Sequence, residues 1–214
     1  RFLFATVMRP LLSVSRAPCV LNEEWIAQFL AIPFSIDSVD VSLTVYQHIR
    51  QIPPSHSITV RDTGITFQRY CTLDFSSRLR FKSNEDYEEA FRDVLGKAVA
   101  ARLRTCGEVG AHLSGGLDSS SVASFAAHML RGKGKKLYTY SYVPVDDFVD
   151  WTHKSRIANE KPQIQTIVDF VGNMEPHYLS FEGRSPYSEI DDWLATMETP
   201  YKFYENSYWL KGIY

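Results

Sequence analysis

The chain has 214 residues, of which 44% are hydrophobic and 14% aromatic, a composition typical of a packed globular protein and not of a disordered one. The formal net charge of −2 gives no global field that would favour nucleic acid or an acidic membrane surface. Cys19, Cys71 and Cys106 are widely spaced and form neither a disulfide framework nor a C-x-x-C metal pair, which favours a reducing, cytoplasmic location. No run approaches about 18 consecutive apolar residues, so neither a membrane span nor a membrane partner is expected.

The first part of the chain predicts strands with one or two short helices. An amphipathic helix is expected over Asn22–Leu30, and a second, short helix over Thr44–Ile49 that ends before Pro53. The expected strands are Arg1–Met8, Ile58–Arg61 and Gly64–Tyr70. This block contains no complete alternation of strands and helices, so it is not an α/β unit by itself.

A change of pattern at Ser83 predicts the start of a second domain. Ser83 and Asp86 have the spacing of a capping box, and apolar side chains then recur at helical intervals to about Leu103. This periodicity predicts a long amphipathic helix. We therefore place the domain boundary near residues 75–83 and divide the chain into residues 1–80 and 81–214.

The second part alternates strands and helices. The expected strands are Val109–Leu113, Leu137–Val143 and His177–Phe181. The expected helices are one that follows the first strand and ends at Gly132, one opened by Pro162 and stopped by Gly172, and one over Ser188–Met197. This order predicts an α/β fold with a doubly wound parallel sheet and right-handed crossovers, in which ligands bind at the carboxyl ends of the strands.

The most specific motif lies between the first of these strands and its helix. It reads Ser114-Gly115-Gly116-Leu117-Asp118-Ser119-Ser120. Two adjacent glycines let backbone N–H groups approach an anion closely, and the following helix directs its positive dipole end at the same place. Asp118 is a hard oxygen ligand suited to Mg²⁺, and the serines add hydroxyl donors. The Ser114–Ser120 motif therefore predicts a pyrophosphate site that is neither a Walker loop nor a dinucleotide fingerprint.

The motif resembles the S-G-G-x-D-S signature of the PP-loop ATP pyrophosphatases, and the flanking sequence resembles the asparagine synthetase family. Phe4-Ala5-Thr6, Gln51–His56 and Arg69-Tyr70-Cys71 are similar to segments of that family's glutaminase domain. The resemblance implies a partial Rossmann-like sheet of the PP-loop ATPase type over residues 81–214. It also implies that residues 1–80 are the C-terminal part of an α+β glutaminase domain of the Ntn-hydrolase type. Because the chain stops at Tyr214 before the family's second glycine-acid motif, an internal fragment is expected.

The resemblance also implies a chemistry. It is that of a ligase that forms a C–N bond and cleaves ATP to AMP and pyrophosphate. ATP would bind through residues Ser114 to Ser120, with backbone at Val143 facing the adenine, and Asp118 would be the catalytic residue and a ligand of Mg²⁺. The expected substrates are aspartate and ammonia released from glutamine, as in asparagine biosynthesis. No residue matches the N-terminal cysteine that acts as the family's glutaminase nucleophile.

Alternatives to asparagine synthesis stay open. Val7 and Asn159 stand where the family has acids. These departures, with the Asn206–Trp209 segment, keep open the lasso-peptide and β-lactam-type macrolactam synthetases, which close a ring with an internal amine. A non-catalytic nucleotide-binding protein is a further alternative, although the intact Asp118 argues against a decayed site. The expected partners are therefore small carboxylate and amine substrates or a precursor peptide, and not nucleic acid; a homodimer stays open.

Two charged segments have an ordinary interpretation beside a functional one. Glu160 stands where the family has an acidic pair opening a helix, and we favour an acid stabilised by the helix dipole over a metal or substrate ligand. The basic run over residues 131–136 is interpreted as a solvated helix end and not as a tRNA-binding surface, since no aromatic residues are interleaved with it.

Overall fold

The computed structural model describes residues 2–14 and 18–213. These residues divide into two units. The first comprises Arg1–Arg78 and Glu189–Tyr204, and the second comprises Leu79–Ser188 and Glu205–Tyr214. Among the described residues, no helix has the length and apolar character needed to span a membrane. The assignment of residues 1–80 to a glutaminase-like domain and of residues 81–214 to an ATP-binding domain stays a prediction.

The first unit contains two short helices and a two-stranded antiparallel sheet. These elements are α1 (Arg9–Val14), α2 (Glu23–Ala31), β1 (His56–Arg61) and β2 (Gly64–Arg69). Asn22 caps α2 by accepting a hydrogen bond from the backbone N–H of Trp25 at 3.2 Å. Trp25 packs with Leu43 and Val45 in a small apolar core. The predicted helix Asn22–Leu30 and the predicted strands Ile58–Arg61 and Gly64–Tyr70 are confirmed within two residues at each end.

Two predictions for the first unit are wrong. Residues 2–8 form no strand, and the backbone N–H groups of Met8 and Arg9 instead donate to the Glu198 carboxylate, where α1 begins; Arg1 lies outside the described residues. The stretch Thr44–Ile49 is not helical either. The Thr44 hydroxyl donates to the Ile49 carbonyl at 2.8 Å and accepts from the Tyr46 N–H at 3.2 Å. A hydroxyl that bonds nearby backbone in this way favours a turn over a helix.

The second unit alternates helices and strands as predicted. Its elements are α3 (Asn84–Arg102), β3 (Val109–His112), α4 (Leu117–Arg131), β4 (Leu137–Tyr142), α5 (Lys161–Val171) and β5 (Met174–Leu179), while α6 (Pro186–Met197) bridges the unit boundary and α7 (Ser207–Ile213) ends the described chain. The bounds of β5 differ from the expected His177–Phe181. Pro176 lies inside this strand, and a proline normally argues against a paired strand because it has no N–H group to donate. β5 accommodates Pro176 because it is the last strand in the order β3-β4-β5.

The three strands of the second unit form a parallel sheet. β3 pairs with β4 from Val109↔Leu137 to His112↔Tyr140, and β4 pairs with β5 over its whole length. The mixed α/β fold is therefore confirmed. The described strands follow one another in chain order without a reversal, so the doubly wound, Rossmann-like topology and the Ntn-type architecture stay predictions.

One face of this sheet is buried under helices. Along β4, Leu137 and Thr139 are fully buried and alternate with partly exposed tyrosines. The buried face packs against apolar side chains of α4 and α5, among them Leu130 and Ile164. At its carboxyl end the Ser141 hydroxyl donates to the Leu113 carbonyl at 2.7 Å. This bond fixes the end of β3, from which the Ser114–Ser120 motif departs.

Candidate functional site

The Ser114–Ser120 motif joins the carboxyl end of β3 to the first turn of α4. Leu113 is 3% exposed, and its backbone N–H donates to the Tyr140 carbonyl at 3.0 Å, so the sheet holds the chain up to the residue before the motif. Helix α4 then begins at Leu117. The motif is thus at the edge of a parallel sheet where ligands of α/β proteins bind, anchored on both sides by regular structure.

Serine hydroxyls shape the turn from within. The Ser114 N–H donates to the Ser119 hydroxyl at 3.0 Å, and the two hydroxyl oxygens lie 2.7 Å apart. The Gly116 N–H donates to the Ser114 hydroxyl at 3.2 Å, and the Ser120 hydroxyl donates to the Leu117 carbonyl at 3.1 Å. The hydroxyls that the sequence suggests as ligand donors therefore first serve to hold the turn in shape, and backbone N–H groups become the main candidates for contacting a ligand.

The N-terminus of α4 has no capping side chain. Its N-cap residue is Gly116, in an extended conformation with φ −81° and ψ 158°, and no side-chain cap hydrogen bond is present among the described residues. The backbone N–H groups of Leu117, Asp118 and Ser119 therefore lie at a helix end that the protein itself does not cap. The partial positive charge of the helix dipole is concentrated at the same place. An anion placed there would supply the missing acceptors.

Asp118 and Leu117 are on the outer side of the first turn of α4. The Asp118 carboxylate is exposed and has no hydrogen-bond or ion-pair partner within the part of the chain that the structure describes. Leu117 is 85% exposed, as single apolar side chains on a protein surface often are.

The residues around Asp118 fit Mg²⁺ only in one arrangement. Over residues 2–14 and 18–213, no group of three or more His, Cys, Asp or Glu side chains is placed to hold a metal ion. A Mg²⁺ ion at Asp118 would therefore take one carboxylate oxygen from the protein and its other ligands from phosphate oxygens and water. This is the usual way in which nucleotide-bound Mg²⁺ is held.

The first turn of α5 forms the second wall of the motif. The Gly115 N–H donates to Glu160 Oε2 at 3.0 Å, across 45 positions of sequence. A Cβ atom at Gly115 would lie 3.1 Å from the Gln163 Cβ and 3.3 Å from the Glu160 Cβ, so these side chains approach closely because the residue is glycine. The sequence contains no signal for this contact, since α5 and the motif are far apart along the chain.

The structure revises the interpretation of Glu160 and explains Asn159. Glu160 is the N-cap residue of α5, but its side chain forms no cap hydrogen bond with that helix. Asn159, the residue before it, forms an Asx turn that leads into α5, in which its Oδ1 accepts from the Lys161 N–H at 3.1 Å. The favoured interpretation of Glu160, an acid held only by the dipole of its own helix, is therefore incomplete: its carboxylate binds the Ser114–Ser120 motif.

Val143, the residue predicted to face adenine, directly follows β4. It is 8% exposed, and its backbone N–H donates to the Leu179 carbonyl at 2.9 Å. A contact between this residue and a base would therefore use its carbonyl oxygen or its side chain, because the N–H group already belongs to the sheet. The contact between Val143 and adenine stays a prediction.

The basic run after α4 makes local contacts. The Lys135 ammonium group donates to the Cys106 and Gly107 carbonyls at 3.1 and 2.9 Å, and Lys136 pairs with Glu175 at 2.8 Å. The hydrogen bond to Glu175 raises the pKa of Lys136 above its usual value. Arg131 donates to the Val171 carbonyl. These contacts tie the end of α4 to neighbouring turns and strands, and the interpretation of a solvated helix end stays a prediction.

Comparison with known proteins identifies the family. The protein-family model described as asparagine synthase matches residues 90–210, which is more than half of the chain. The chain therefore belongs to this family. The matched segment contains the Ser114–Ser120 motif and all three strands of the parallel sheet.

Three relatives illustrate the range of similarity. Asparagine synthetase [glutamine-hydrolyzing] 1 of Saccharomyces cerevisiae is 42% identical over 169 residues, covering 71% of this chain and 29% of the yeast protein. Amidase chry2 of Gibberella zeae is 26% identical over 165 residues, covering 74% of this chain and 24% of the relative. Asparagine synthetase [glutamine-hydrolyzing] 3 of Bacillus subtilis is 33% identical over 98 residues, covering 45% of this chain and 16% of the relative. The chain therefore spans under a third of the length of each of these proteins.

Proposed function

We propose that this chain carries the nucleotide-phosphate site of an ATP-dependent ligase that forms amide bonds. The observation that carries the proposal is the uncapped N-terminus of α4, which presents backbone N–H groups beside Gly115 and Gly116 at the carboxyl edge of a parallel sheet. Membership of the asparagine synthase family supports the same chemistry. On this proposal, residues 81–214 belong to a PP-loop ATP-binding domain with a Rossmann-like sheet, and residues 1–80 to a glutaminase-like domain of the Ntn type.

The proposed reaction has two steps. A substrate carboxylate attacks the α-phosphorus of ATP and displaces pyrophosphate, and an amine then attacks the acyl-adenylate and releases AMP. The N–H groups at the start of α4 would bind the β- and γ-phosphates, and the helix dipole would stabilise the negative charge that grows on the leaving pyrophosphate. Asp118 would hold Mg²⁺, which neutralises phosphate charge when bound. The carbonyl oxygen of Val143 is the proposed contact with adenine.

Aspartate and glutamine-derived ammonia are the proposed substrates. Relatives named as glutamine-hydrolysing asparagine synthetases support this choice. The Asn159 Oδ1 accepts from the Lys161 N–H as an aspartate oxygen would, so the departure at this position has a structural explanation and does not itself argue for another substrate.

A second candidate is a ligase that joins a different carboxylate to an internal amine, as macrolactam synthetases do. The observation in its favour is the similarity to a relative named an amidase, which covers as much of this chain as the similarity to the yeast synthetase. On this alternative the phosphate site and the role of Asp118 are unchanged, and only the carboxylate that is activated and the amine that attacks it differ.

ATP–pyrophosphate exchange distinguishes these candidates. The intact protein is incubated with Mg-ATP and labelled pyrophosphate, with and without L-aspartate, and Asp118→Ala is the matched negative control. Exchange that depends on aspartate and is lost in the variant supports asparagine synthesis. Binding of Mg-ATP without aspartate-dependent exchange favours the second candidate. Failure of the protein to bind Mg-ATP contradicts the proposed site.

A further inference from the structure

The Glu160 carboxylate occupies a backbone donor of the proposed phosphate site. Its Oε2 accepts from the Gly115 N–H at 3.0 Å, in the middle of the two-glycine turn. A carboxylate oxygen and a phosphate oxygen are equivalent acceptors for such a donor, since both carry negative charge and form short, charge-assisted hydrogen bonds. Glu160 is thus placed to compete with a phosphate group for this N–H.

The side chain of Glu160 has no other structural task in its own helix. As the N-cap residue of α5 it could cap that helix, but it does not, and Asn159 bonds the Lys161 N–H instead. Its Cβ and Cδ lie 3.3 and 3.6 Å from the position a Cβ would take at Gly115. The chain therefore places a carboxylate on the motif from a distant segment, while the neighbouring Asn159 bonds the backbone at the start of α5.

We propose that Glu160 is an internal counter-anion of the Ser114–Ser120 motif, which competes with phosphate for the Gly115 N–H and makes the site select metal-complexed phosphates over free ones. This proposal rests on the proposed function, because it assumes that the motif binds phosphate. A metal-free polyphosphate must displace the carboxylate and then remain beside it, which adds repulsion between like charges. A Mg²⁺ complex carries less negative charge and meets less repulsion, so the carboxylate discriminates against the free anion.

Binding of metal-free pyrophosphate to variants of the intact protein tests this role. Calorimetric titrations with inorganic pyrophosphate in the presence of EDTA are compared with titrations with Mg-ATP. We expect Glu160→Ala to tighten the binding of metal-free pyrophosphate on the order of tenfold, because both the charge and the competing acceptor are removed. Glu160→Gln should tighten it less, since the amide oxygen can still accept from Gly115. The affinity for Mg-ATP should tighten by a clearly smaller factor, because its phosphate competes for the same N–H but the complex meets less of this repulsion.

Glu175→Gln is the matched control. It removes the same charge from the same unit, but Glu175 is near the amino end of β5 and pairs with Lys136 at 2.8 Å. We expect this variant to bind metal-free pyrophosphate as the wild type does. An equal gain in both variants would mean that general surface charge, and not the contact with Gly115, controls binding, and this would overturn the proposal.

Two further results would overturn it while leaving the phosphate site in place. If Glu160→Ala weakens pyrophosphate binding and Glu160→Gln restores it, the carboxylate supports the turn in its binding conformation. If Glu160→Gln weakens Mg-ATP binding at unchanged pyrophosphate affinity, the carboxylate is a metal ligand. If the wild type and every variant bind neither Mg-ATP nor pyrophosphate, the proposed function fails and the role of Glu160 fails with it.

Discussion

Two helices of the second unit begin in opposite ways. At the start of α3, the Ser83 hydroxyl accepts from the Asp86 N–H and the Asp86 carboxylate accepts from the Ser83 N–H, both at 3.2 Å, so the terminus satisfies its own donors. At the start of α4, the N-cap is Gly116 and no side chain of the described residues replaces the serine. On the proposed function, α3 is a structural helix, and the N-terminus of α4 is the one that binds the ligand.

The missing cap at α4 has a small energetic cost and a large chemical consequence. A serine or aspartate at an N-cap stabilises a helix by about 1 kcal/mol relative to alanine, and by only a few tenths relative to glycine. The core beneath α4, which includes the fully buried Ala123 and Ala127, holds the helix in place without that contribution. Gly116 therefore leaves the donors free at little loss of stability.

The largest predicted effect concerns Asp118. Asp118→Ala should reduce Mg-ATP-dependent pyrophosphate release on the order of a hundredfold or more, because the proposed metal ligand is lost. The free energy of unfolding should change little, since the side chain is exposed and unpaired within the described part of the chain. Asp93→Ala is the control: its carboxylate is also exposed, and it pairs with Lys97 on α3 at 2.6 Å. Near-normal release by Asp118→Ala would refute the site assignment.

Closing the N-terminus of α4 should have the next largest effect. Gly116→Asp supplies the side-chain acceptor that α3 already has, and the extended backbone at this position accepts a side chain. A Cβ there would meet only the Ser114 hydroxyl, at 3.4 Å. We expect pyrophosphate affinity to fall by about tenfold or more, while the free energy of unfolding rises by a few tenths of a kcal/mol.

Calorimetry and urea denaturation on the same Gly116 variants give both quantities. Gly116→Ala adds a Cβ without an acceptor, so it should retain pyrophosphate binding and separates the effect of size from that of capping. Unchanged affinity in Gly116→Asp would mean that the N-terminus of α4 is not where the anion binds.

Opening the N-terminus of α3 should affect stability alone. Ser83→Ala removes the hydroxyl of the capping box and should lower the free energy of unfolding by about 1 kcal/mol. Pyrophosphate affinity should not change. Ser76→Ala, in the exposed turn where the Ser76 hydroxyl bonds Asp74 at 2.6 Å, is the control outside any helix. A loss of binding in Ser83→Ala would undermine the contrast between the two helices.

The smallest effect is a pH dependence at the same end of α3. A hydrogen bond from its own backbone N–H, followed by one from the Ser83 hydroxyl, holds the pKa of Glu85 below its usual value. A depressed pKa in the folded state means that the contribution to stability is present above the unfolded-state pKa and is lost as the pH falls through the folded-state pKa. The stability difference between the wild type and Glu85→Gln, measured by urea denaturation, should therefore disappear at acid pH. A difference that stays constant with pH would contradict this assignment.

The regular elements of the second unit could be predicted from periodicity. The apolar stripe of α3, its Ser83–Asp86 cap, and the strands on both sides of the Ser114–Ser120 motif all have local signals that tertiary packing reinforces. Pro176 made the start of β5 harder to predict, because a proline within a strand normally argues against pairing. In the first unit, the predictions for residues 2–8 and 44–49 are wrong because hydrogen bonds between side chains and backbone determine the conformation there. The Glu198 carboxylate accepts from the backbone at the start of α1, and the Thr44 hydroxyl donates to the Ile49 carbonyl.

The candidate site was predictable only in part. The glycines and Asp118 form one continuous motif, so the sequence alone indicated a phosphate-binding turn. The contact between Gly115 and Glu160 joins two segments 45 residues apart, and no periodicity or spacing encodes it. The hydrogen bond between Ser114 and Ser119 could not be predicted for another reason. A serine hydroxyl can bond either a ligand or nearby backbone, and the sequence does not determine which.

Residue-resolved binding of pyrophosphate tests the central claim most directly. Inorganic pyrophosphate with Mg²⁺ is titrated into the ¹⁵N-labelled protein, and the backbone amide signals at the two helix N-termini are compared. We predict that the largest chemical-shift changes fall on residues 115–120, while the amides of residues 84–86 at the start of α3 stay unchanged. Equal changes at both helices, or changes centred away from the Ser114–Ser120 motif, would contradict the account.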